Sequence, residues 1–222
     1  MNEQDAELRI DVYSDVICPW CYIGKRRLER ALPSVGNDVR VTWRPFQLNP
    51  TMPLDGMDRS TYLQAKFGSL ETFGRVEEQL ITAGTGEEIA FAFGNIQRTP
   101  NTFAAHRLIW YAERQGKQDA MVEALFHGYF VEGRDIGNVM TLVQMAVQTG
   151  FERTEIESFL VSEAGSAEVK TEAAEGHRLG IRGVPYFVVN DRYAISGAQP
   201  PDRFVSALRK AEADDAGRKA GA

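Results

Sequence analysis

The stretch SDVICPWC at residues 14–21 decides the fold prediction. It holds the chain's two cysteines, Cys18 and Cys21, with a Pro-Trp pair between them. The residues before it, Leu8 to Tyr13, alternate apolar and polar, which is typical of a strand with one buried face. The residues after it, Tyr22 to Leu32, have helical apolar spacing and stop at a proline. We therefore predict a strand followed by a helix that begins at the cysteines.

The composition places the chain among ordinary folded proteins. Its 222 residues are 43% hydrophobic and 25% charged, and a chain of this length buries a core without disulfide staples. The net charge of -6 repels phosphate backbones and anionic lipid, so we expect no nucleic-acid partner. The opening residues lack the apolar run of a signal peptide, and no window reaches the roughly 18 apolar residues that span a bilayer. We therefore expect a cytoplasmic protein without membrane contact.

The remaining strands are predicted near the two ends of the chain. One runs from Val39 to Phe46, after a turn at 36–38. Two more run from Pro185 to Val189 and from Arg192 to Ser196, because the Asn190-Asp191 pair between them suits a hairpin turn with positive φ.

Helices account for the rest of the predicted secondary structure. No convincing strand is evident over residues 59–179, where the helix-length segments are 59–83, 100–115, 117–130, 138–149, 153–161 and 164–179. A closing helix is predicted from Asp202 to Glu212, and the polar tail from Asp214 is expected to fray. The resulting order is βαβ, helices, ββα.

The Cys-x-x-Cys pair favours redox chemistry. Cys18 is expected at a helix start, where unpaired backbone N–H groups and the positive end of the helix dipole stabilise a thiolate. Pro19 suits the first helical position, because its missing N–H has no partner there. Cys21, one turn further on, is placed to attack a mixed disulfide on Cys18. We therefore expect Cys18 to be the exposed, low-pKa nucleophile and Cys21 the shielded, resolving thiol.

Two other interpretations of the cysteines stay open. A structural zinc site needs four ligands, but this Cys-x-x-Cys stands alone while His106, His127 and His177 are scattered over the helical region, so we expect no metal. Two inert core cysteines are the second alternative, although a proline between cysteines at a strand-to-helix corner is hard to explain by packing.

A second motif lies at Gly183-Val184-Pro185, just before the predicted hairpin. An X-Pro bond can be cis, although most are trans. A cis bond here would leave the backbone of Val184 extended and able to pair with a peptide or glutathione.

Several longer motifs carry a resemblance to a known family. They are the 14–21 stretch after a strand, Gly183-Val184-Pro185 before a hairpin, and the segments at 43–50, 101–108, 132–136 and 196–200. Together they resemble the DsbA-like branch of the thioredoxin superfamily, and more narrowly its FrnE-type members, over nearly the whole chain. FrnE-type proteins often add a second cysteine pair, which this chain lacks.

The resemblance implies an α/β, thioredoxin-like fold interrupted by a large all-helical insertion domain. The expected boundaries are residues 1–58 and 180–222 for the thioredoxin-like domain and 59–179 for the insertion. The resemblance also implies a cis Val184-Pro185 bond and redox chemistry at Cys18 and Cys21. The expected substrate-binding residues are Pro19, Trp20, Val184 and Pro185, and the expected partners are protein or small thiols and disulfides.

The resemblance also supplies the competing function. Kappa-class glutathione transferases and 2-hydroxychromene-2-carboxylate isomerases belong to the same superfamily and carry serine where this chain has Cys18. A serine can only hydrogen-bond the glutathione sulfur, whereas Cys18 can bond to it covalently. Thiol–disulfide exchange is therefore the leading hypothesis, without a cofactor unless glutathione is a co-substrate. A glutathione-dependent isomerase or transferase of a small aromatic metabolite is the alternative, and a pure binding module is the third. The sequence sets neither the reduction potential nor the oligomeric state.

Other conspicuous residues have simpler interpretations. We expect His106 to form a hydrogen bond at a helix cap or between the domains, because such a role is commoner for a histidine than proton donation. Aromatic residues at helical spacing are usually core, so Phe91, Phe93, Phe103 and Phe126 are expected to pack the helical region, with some of them possible cleft residues. The acidic pairs at 77–78 and 87–88 are expected to be solvated faces.

Overall fold

The computed structural model describes residues 8–35 and 39–220, with side chains described up to residue 214. The predicted turn at 36–38 lies outside the described residues. The chain begins with strand β1 (Leu8–Ser14), helix α1 (Pro19–Ala31) and strand β2 (Val39–Pro45). Helix α1 starts at a proline in its first position, as the sequence predicted.

A helical segment follows the first βαβ unit. It contains the helices α2 (Arg59–Phe67), α3 (Leu70–Thr85), α4 (Phe103–Arg114), α5 (Gln118–Phe130), α6 (Val139–Gln148), α7 (Arg153–Val161) and α8 (Ser166–Arg178). Two short strands pair with each other: β3 (Met57–Asp58) lies just before α2, and β4 (Arg98–Thr99) lies between α3 and α4.

Two predictions about this segment are wrong. The single helix expected over 59–83 is split, because Gly68 takes a positive φ of 82° and Ser69 caps the next helix by accepting a hydrogen bond from the Thr72 N–H. The strand at Arg98–Thr99 was not predicted, since two residues give no readable alternation and the partner strand lies far away in sequence.

The chain ends with strand β5 (Tyr186–Val189), strand β6 (Tyr193–Ser196) and helix α9 (Pro201–Ala220). Asn190 and Asp191 have φ values of 48° and 55°, so the predicted hairpin turn with positive φ is confirmed. The last helix runs through Ala220 instead of ending near Glu212, so its helical backbone contradicts the expected frayed tail within the described residues.

The strands form a four-stranded sheet in the order β2-β1-β5-β6. β1 is parallel to β2 and antiparallel to β5, with Tyr13 opposite Tyr186, and β5 is antiparallel to β6. This register brings the end of β1, which leads to the cysteines, beside the start of β5, which follows Pro185. The two motifs singled out in the sequence therefore meet at one end of the sheet.

Packing joins the sheet to the helices. Phe187 of β5 lies edge-on to Phe204 of α9, with ring centroids 4.7 Å apart, and Tyr22 of α1 stacks on Phe126 of α5 at 5.0 Å. Buried residues of both parts belong to one hydrophobic cluster. The order βαβ, helices, ββα confirms the predicted α/β, thioredoxin-like fold with a helical insertion. The boundaries at 58/59 and 179/180 stay a prediction.

Candidate active site

Cys18 occupies the N-cap position of α1. Its backbone is extended, with φ -94° and ψ 111°, and Pro19 follows at the first helical position. The Cys18 N–H donates to Asp15 O at 2.9 Å, and the Cys21 N–H donates to Cys18 O at 3.0 Å, which closes the first turn. The unpaired N–H groups of a helix start lie at this position, and they favour a negative charge on the Cys18 sulfur.

The two thiols differ in accessibility and in acidity. Both are free; Cys18 is 6% exposed and Cys21 is fully buried at 0%. The order of exposure agrees with the prediction, but Cys18 is far more shielded than expected. A hydrogen bond from Cys21 lowers the pKa of the Cys18 thiol despite its burial. Burial, together with the neighbouring Cys18, raises the pKa of the Cys21 thiol well above its ordinary value.

The second sequence motif lies directly against the first. The Cys18 thiol donates to the carbonyl oxygen of Val184 with an Sγ–O distance of 3.6 Å, and the Val184-Pro185 bond is cis, as expected. Pro185 is buried against Gly24 of α1, where an added Cβ would lie 3.0 Å from the Pro185 Cγ. A side chain at position 24 would therefore press on Pro185, and glycine avoids this contact where α1 meets the Val184-Pro185 segment.

An open groove follows the same segment. It has a volume of about 440 Å³ and includes Arg182, Val184, Pro185, Tyr186 and Ser196 in its lining. Val184 precedes the first residue of β5 and so lies outside the sheet ladder. This leaves the backbone at Val184 beside both the groove and the Cys18 sulfur.

Pro19 and Trp20 lie on the first turn of α1. Pro19 is half-buried, whereas the Trp20 side chain is 37% exposed, which is unusual for a large aromatic residue. An exposed indole next to Cys18 offers an apolar contact for an incoming molecule.

Asp15 lies at the site but was not among the predicted site residues. This residue is 0% exposed, and its Oδ2 accepts a hydrogen bond from the Leu48 N–H at 2.7 Å. Its Oδ1 lies 3.4 Å from Nε2 of His106, which is 3% exposed in the first turn of α4. His106 therefore links the helical insertion to the loop before Cys18. The available sequence signal was an aspartate three residues before a cysteine, but residue spacing could not identify its partner.

Ion pairs join the second turn of α1 to the helical insertion. The ammonium of Lys25, whose side chain is 2% exposed, contacts Glu29 and lies 3.1 Å from Asp119 and 3.3 Å from Glu123. Asp119 and Glu123 belong to α5 and are partly exposed, so a charge cluster around the buried Lys25 ammonium ties α1 to the helical insertion. This cluster fixes the helix that carries both cysteines.

The expectation of a solvated face at 87–88 is wrong for Glu87. Its side chain is buried and pairs with Arg27 at 2.8 Å and Arg30 at 2.7 Å, both from α1. Glu88, the next residue, takes a positive φ of 59° in the turn after α3. Two arginines one turn apart on α1 make a buried carboxylate tolerable.

The predicted packing of three phenylalanines is confirmed. Phe91 and Phe93 stack with ring centroids 4.9 Å apart, and Phe126 is fully buried. Phe103 is only half-buried and has the Lys170 ammonium 5.6 Å from its ring centroid.

Two further properties of the described residues concern metal ions and membranes. Within the described ranges 8–35 and 39–220, no group of three or more His, Cys, Asp or Glu side chains is arranged to hold a metal ion. None of the helices in the same ranges combines the length and the apolar character that crossing a membrane requires.

Known proteins share this architecture. The family model of the DSBA-like thioredoxin domain matches residues 9–209. The protein YwbO of Bacillus subtilis is 29% identical over 203 residues, which cover 90% of this chain and 96% of YwbO. A solved structure of a probable DsbA oxidoreductase from Streptomyces coelicolor is 34% identical with a TM-score of 0.86, covering 92% of this chain and 90% of that one.

A more distant solved structure shares the fold. The cytosolic disulfide reductase DsbM from Pseudomonas aeruginosa, solved with GSH, is 18% identical with a TM-score of 0.62, covering 92% of this chain and 96% of that one. With a family match over most of its length, this chain belongs to the DSBA-like thioredoxin domain family of thiol oxidoreductases.

Proposed function

We propose that this protein is a dithiol–disulfide oxidoreductase in which Cys18 is the nucleophile and Cys21 the resolving thiol. The observation that carries the proposal is the asymmetry of the pair. Cys18 lies at a helix N-cap with its pKa lowered, whereas Cys21 is fully buried with its pKa raised. Only one of the two thiols is suited to attack a substrate from outside.

The reaction then has two steps. The Cys18 thiolate attacks a substrate disulfide, forms a mixed disulfide and releases one substrate thiolate. Cys21 then attacks the Cys18 sulfur, so that the second substrate thiol leaves and a Cys18–Cys21 disulfide remains. The two cysteines lose two electrons, and the substrate disulfide gains them. The reverse direction oxidises a dithiol substrate, and the reduction potential decides which direction prevails.

We place the substrate in the groove beside Val184. The backbone there lies outside the sheet ladder and next to the Cys18 sulfur, so an extended peptide or glutathione can pair with it. Val184 and Pro185 would then orient the substrate disulfide, while Pro19 and the exposed Trp20 would contact its flanks.

Glutathione is a candidate co-substrate, and protein thiols or disulfides are candidate partners. The solved structure of DsbM with GSH supports this choice, although that protein shares only the fold. We further propose that the protein works in the cytoplasm, that it belongs to the FrnE-type branch on the motifs quoted above, and that residues 59–179 form a separate insertion domain.

The test compares two activities side by side. Reduction of insulin, coupled to glutathione as the electron donor, measures thiol–disulfide exchange, and conjugation of an aromatic electrophile to glutathione measures transferase activity. We expect insulin reduction that disappears in the Cys18→Ser variant. Conjugation without insulin reduction would instead support the glutathione-dependent transferase or isomerase. Activity unchanged after replacement of both cysteines would exclude the proposed mechanism.

A further inference from the structure

Three buried polar atoms lie together near Cys21. Asp15 Oδ1, His106 Nε2 and Ser14 Oγ make no hydrogen bond of normal geometry with any part of the chain that the structure describes. Buried polar atoms in proteins are nearly always hydrogen-bonded, either to protein or to an internal water. Three such atoms close together therefore indicate a site that does more than pack the core.

Ser14 and His106 line the same small cavity. Its volume is about 10 Å³, and Trp43 and Arg44 are among the other lining residues. Ser14, Arg44 and His106 are its polar lining residues, beside the apolar Val16, Ile109 and Val122, and its volume is at the lower end of the roughly 10–15 Å³ that one water molecule needs. Since the Asp15 carboxylate lies 3.4 Å from His106 Nε2, the cavity connects to a carboxylate–imidazole pair.

Cys21 faces this group of atoms from α1. Its thiol interacts with the Ser14 hydroxyl and the Asp15 backbone, both of which lower its pKa, but burial and the neighbouring Cys18 outweigh them and raise it. Only a thiolate attacks a disulfide efficiently, so Cys21 must lose its proton before it resolves the mixed disulfide. The thiol is fully buried, so the direct loss of that proton to bulk solvent near neutral pH is slow.

On this basis, and resting on the proposed function, we propose that Ser14, Asp15 and His106 form a one-water proton-transfer site that receives the Cys21 proton in the resolving step. The proton passes through the Ser14 hydroxyl and the cavity water to His106, and the Asp15 carboxylate stabilises the charged imidazole. The Cys21 electron pair then forms the bond to the Cys18 sulfur. The bond from Cys18 to the substrate sulfur breaks, and its electrons leave on the substrate thiolate, which takes a proton from solvent.

The assignment to His106 follows from chemistry as well as position. Imidazole is the side chain best suited to accept a proton near neutral pH. Because His106 belongs to α4, the proposal gives the helical insertion a direct part in the chemistry of Cys21. His106 and Asp15 act through Ser14 and the water, so they are positioning residues for proton transfer.

The other ionisable groups around the site do not compete for this proton. Arg44 of β2 pairs with Asp11 of β1 and with Glu172 of α8. Burial lowers the pKa of the Arg44 guanidinium, but these carboxylates outweigh burial and raise it. Burial raises the pKa of Tyr129, on α5, to about 12. The positive charge of Lys66, on α2, acts on Cys18 and lowers the pKa of the Cys18 thiol.

The test follows the resolving step directly. The reduced full-length protein is mixed with oxidised glutathione, quenched with acid at intervals, and weighed by mass spectrometry to count free, glutathionylated and internally oxidised molecules. The variants are His106→Gln, Asp15→Asn and Ser14→Ala, and the matched control is His127→Gln, since His127 is half exposed on α5. Circular dichroism selects the variants that keep the wild-type fold, and Ser14→Ala removes only one hydroxyl.

We expect the wild type and His127→Gln to pass through the mixed disulfide without accumulating it. His106→Gln and Asp15→Asn should accumulate it, with resolution slowed about 100-fold near pH 7. The rate of attack by Cys18 should be unchanged in His106→Gln, whereas Asp15→Asn removes a charge that raises the pKa of the Cys18 thiol, so its rate of attack is measured separately. Ser14→Ala should give a smaller slowing of the same step. The deficit of each variant should shrink toward pH 9, because hydroxide then replaces the missing acceptor.

Two results would overturn the proposal. One is resolution at the wild-type rate in the folded variants, and the other is slowing by the same factor at every pH, which a merely structural role would give. If the wild type itself never forms the internal disulfide, the proposed oxidoreductase function fails instead, so the two failures are distinguishable.

Discussion

The Sγ atom of Cys18 lies 3.6 Å from the carbonyl oxygen of Val184, and this contact joins the start of α1 to the segment before β5. It exists because β1 pairs with both β2 and β5, so the chain leaves β1 toward the cysteines at the same sheet end where it enters β5. The sheet register, more than any local motif, places the proposed docking backbone at the nucleophile.

The pKa difference between the two thiols predicts the order of alkylation. Near neutral pH, iodoacetamide should modify Cys18 before Cys21, because the pKa of Cys18 is lowered and that of Cys21 is raised. The reaction should be slower than with an exposed low-pKa thiol, since Cys18 is only 6% exposed. Peptide mass spectrometry at increasing times gives the order. Earlier labelling of Cys21 would reverse the assigned roles.

Trapping experiments separate nucleophile from resolving thiol. The Cys21→Ser variant should accumulate mixed disulfides with glutathione or partner proteins, because Cys18 still attacks while nothing resolves the adduct. The Cys18→Ser variant should trap almost nothing, since Cys21 is fully buried. Intact-mass measurement after exposure to oxidised glutathione quantifies both, and similar adduct yields would contradict the mechanism.

Gly24 should be intolerant of a large side chain. Leucine there would press against Pro185 and Phe187, and we expect a loss of ~1–3 kcal/mol in unfolding free energy together with reduced insulin reduction. The matched control is Gly74→Ala in α3, where a Cβ meets open space, so helix propensity should stabilise the protein by ~1 kcal/mol. Denaturant titration measures both changes. A Gly24→Leu variant as stable and active as the wild type would refute the close packing.

The Lys25 cluster predicts an acid-sensitive part of the stability. Burial alone would raise the pKa of Glu123, but Lys25, Tyr22 and Arg26 hold it below its ordinary value of 4.5. A carboxylate with a lowered pKa in the folded state stabilises the fold above its unfolded pKa, and this contribution is lost as pH falls below that value.

Replacing Lys25 with Met should therefore lower the free energy of unfolding by about 1–3 kcal/mol near neutral pH. This loss is smaller than the loss from breaking a fully buried ion pair, because the carboxylates are partly exposed. The cost should shrink on acidification below about pH 4.5. Lys210→Met, at an exposed position of α9, is the control and should change little. Denaturant titrations at several pH values give the comparison, and a cost independent of pH would count against the ion cluster.

The sequence anticipated features that depend on neighbours in the chain. The helix start at Pro19, the strand before Cys18 and the turn at Asn190 and Asp191 all follow from local residue preferences. The cis bond at Val184-Pro185 followed from the family resemblance.

Features that depend on distant partners were missed. Glu87 was expected to lie on a solvated face, because the residues next to it in the sequence do not indicate its partners Arg27 and Arg30 on α1. His106 was expected to be a structural hydrogen-bonding residue, and its contact with buried Asp15 emerges only when α4 packs against the loop before Cys18. The limited exposure of Cys18 has the same origin, since Val184 covers it from another part of the chain.

In the proposed mechanism, Cys18 and Cys21 form one reversible redox couple. The most direct measurement is equilibration of the full-length protein with buffers of varying reduced and oxidised glutathione, followed by acid trapping and intact-mass analysis. We predict a cooperative transition in which the protein loses two hydrogen atoms and forms the Cys18–Cys21 disulfide, with a midpoint that gives the reduction potential. Two free thiols at every buffer ratio, or glutathione adducts that never resolve, would contradict the account.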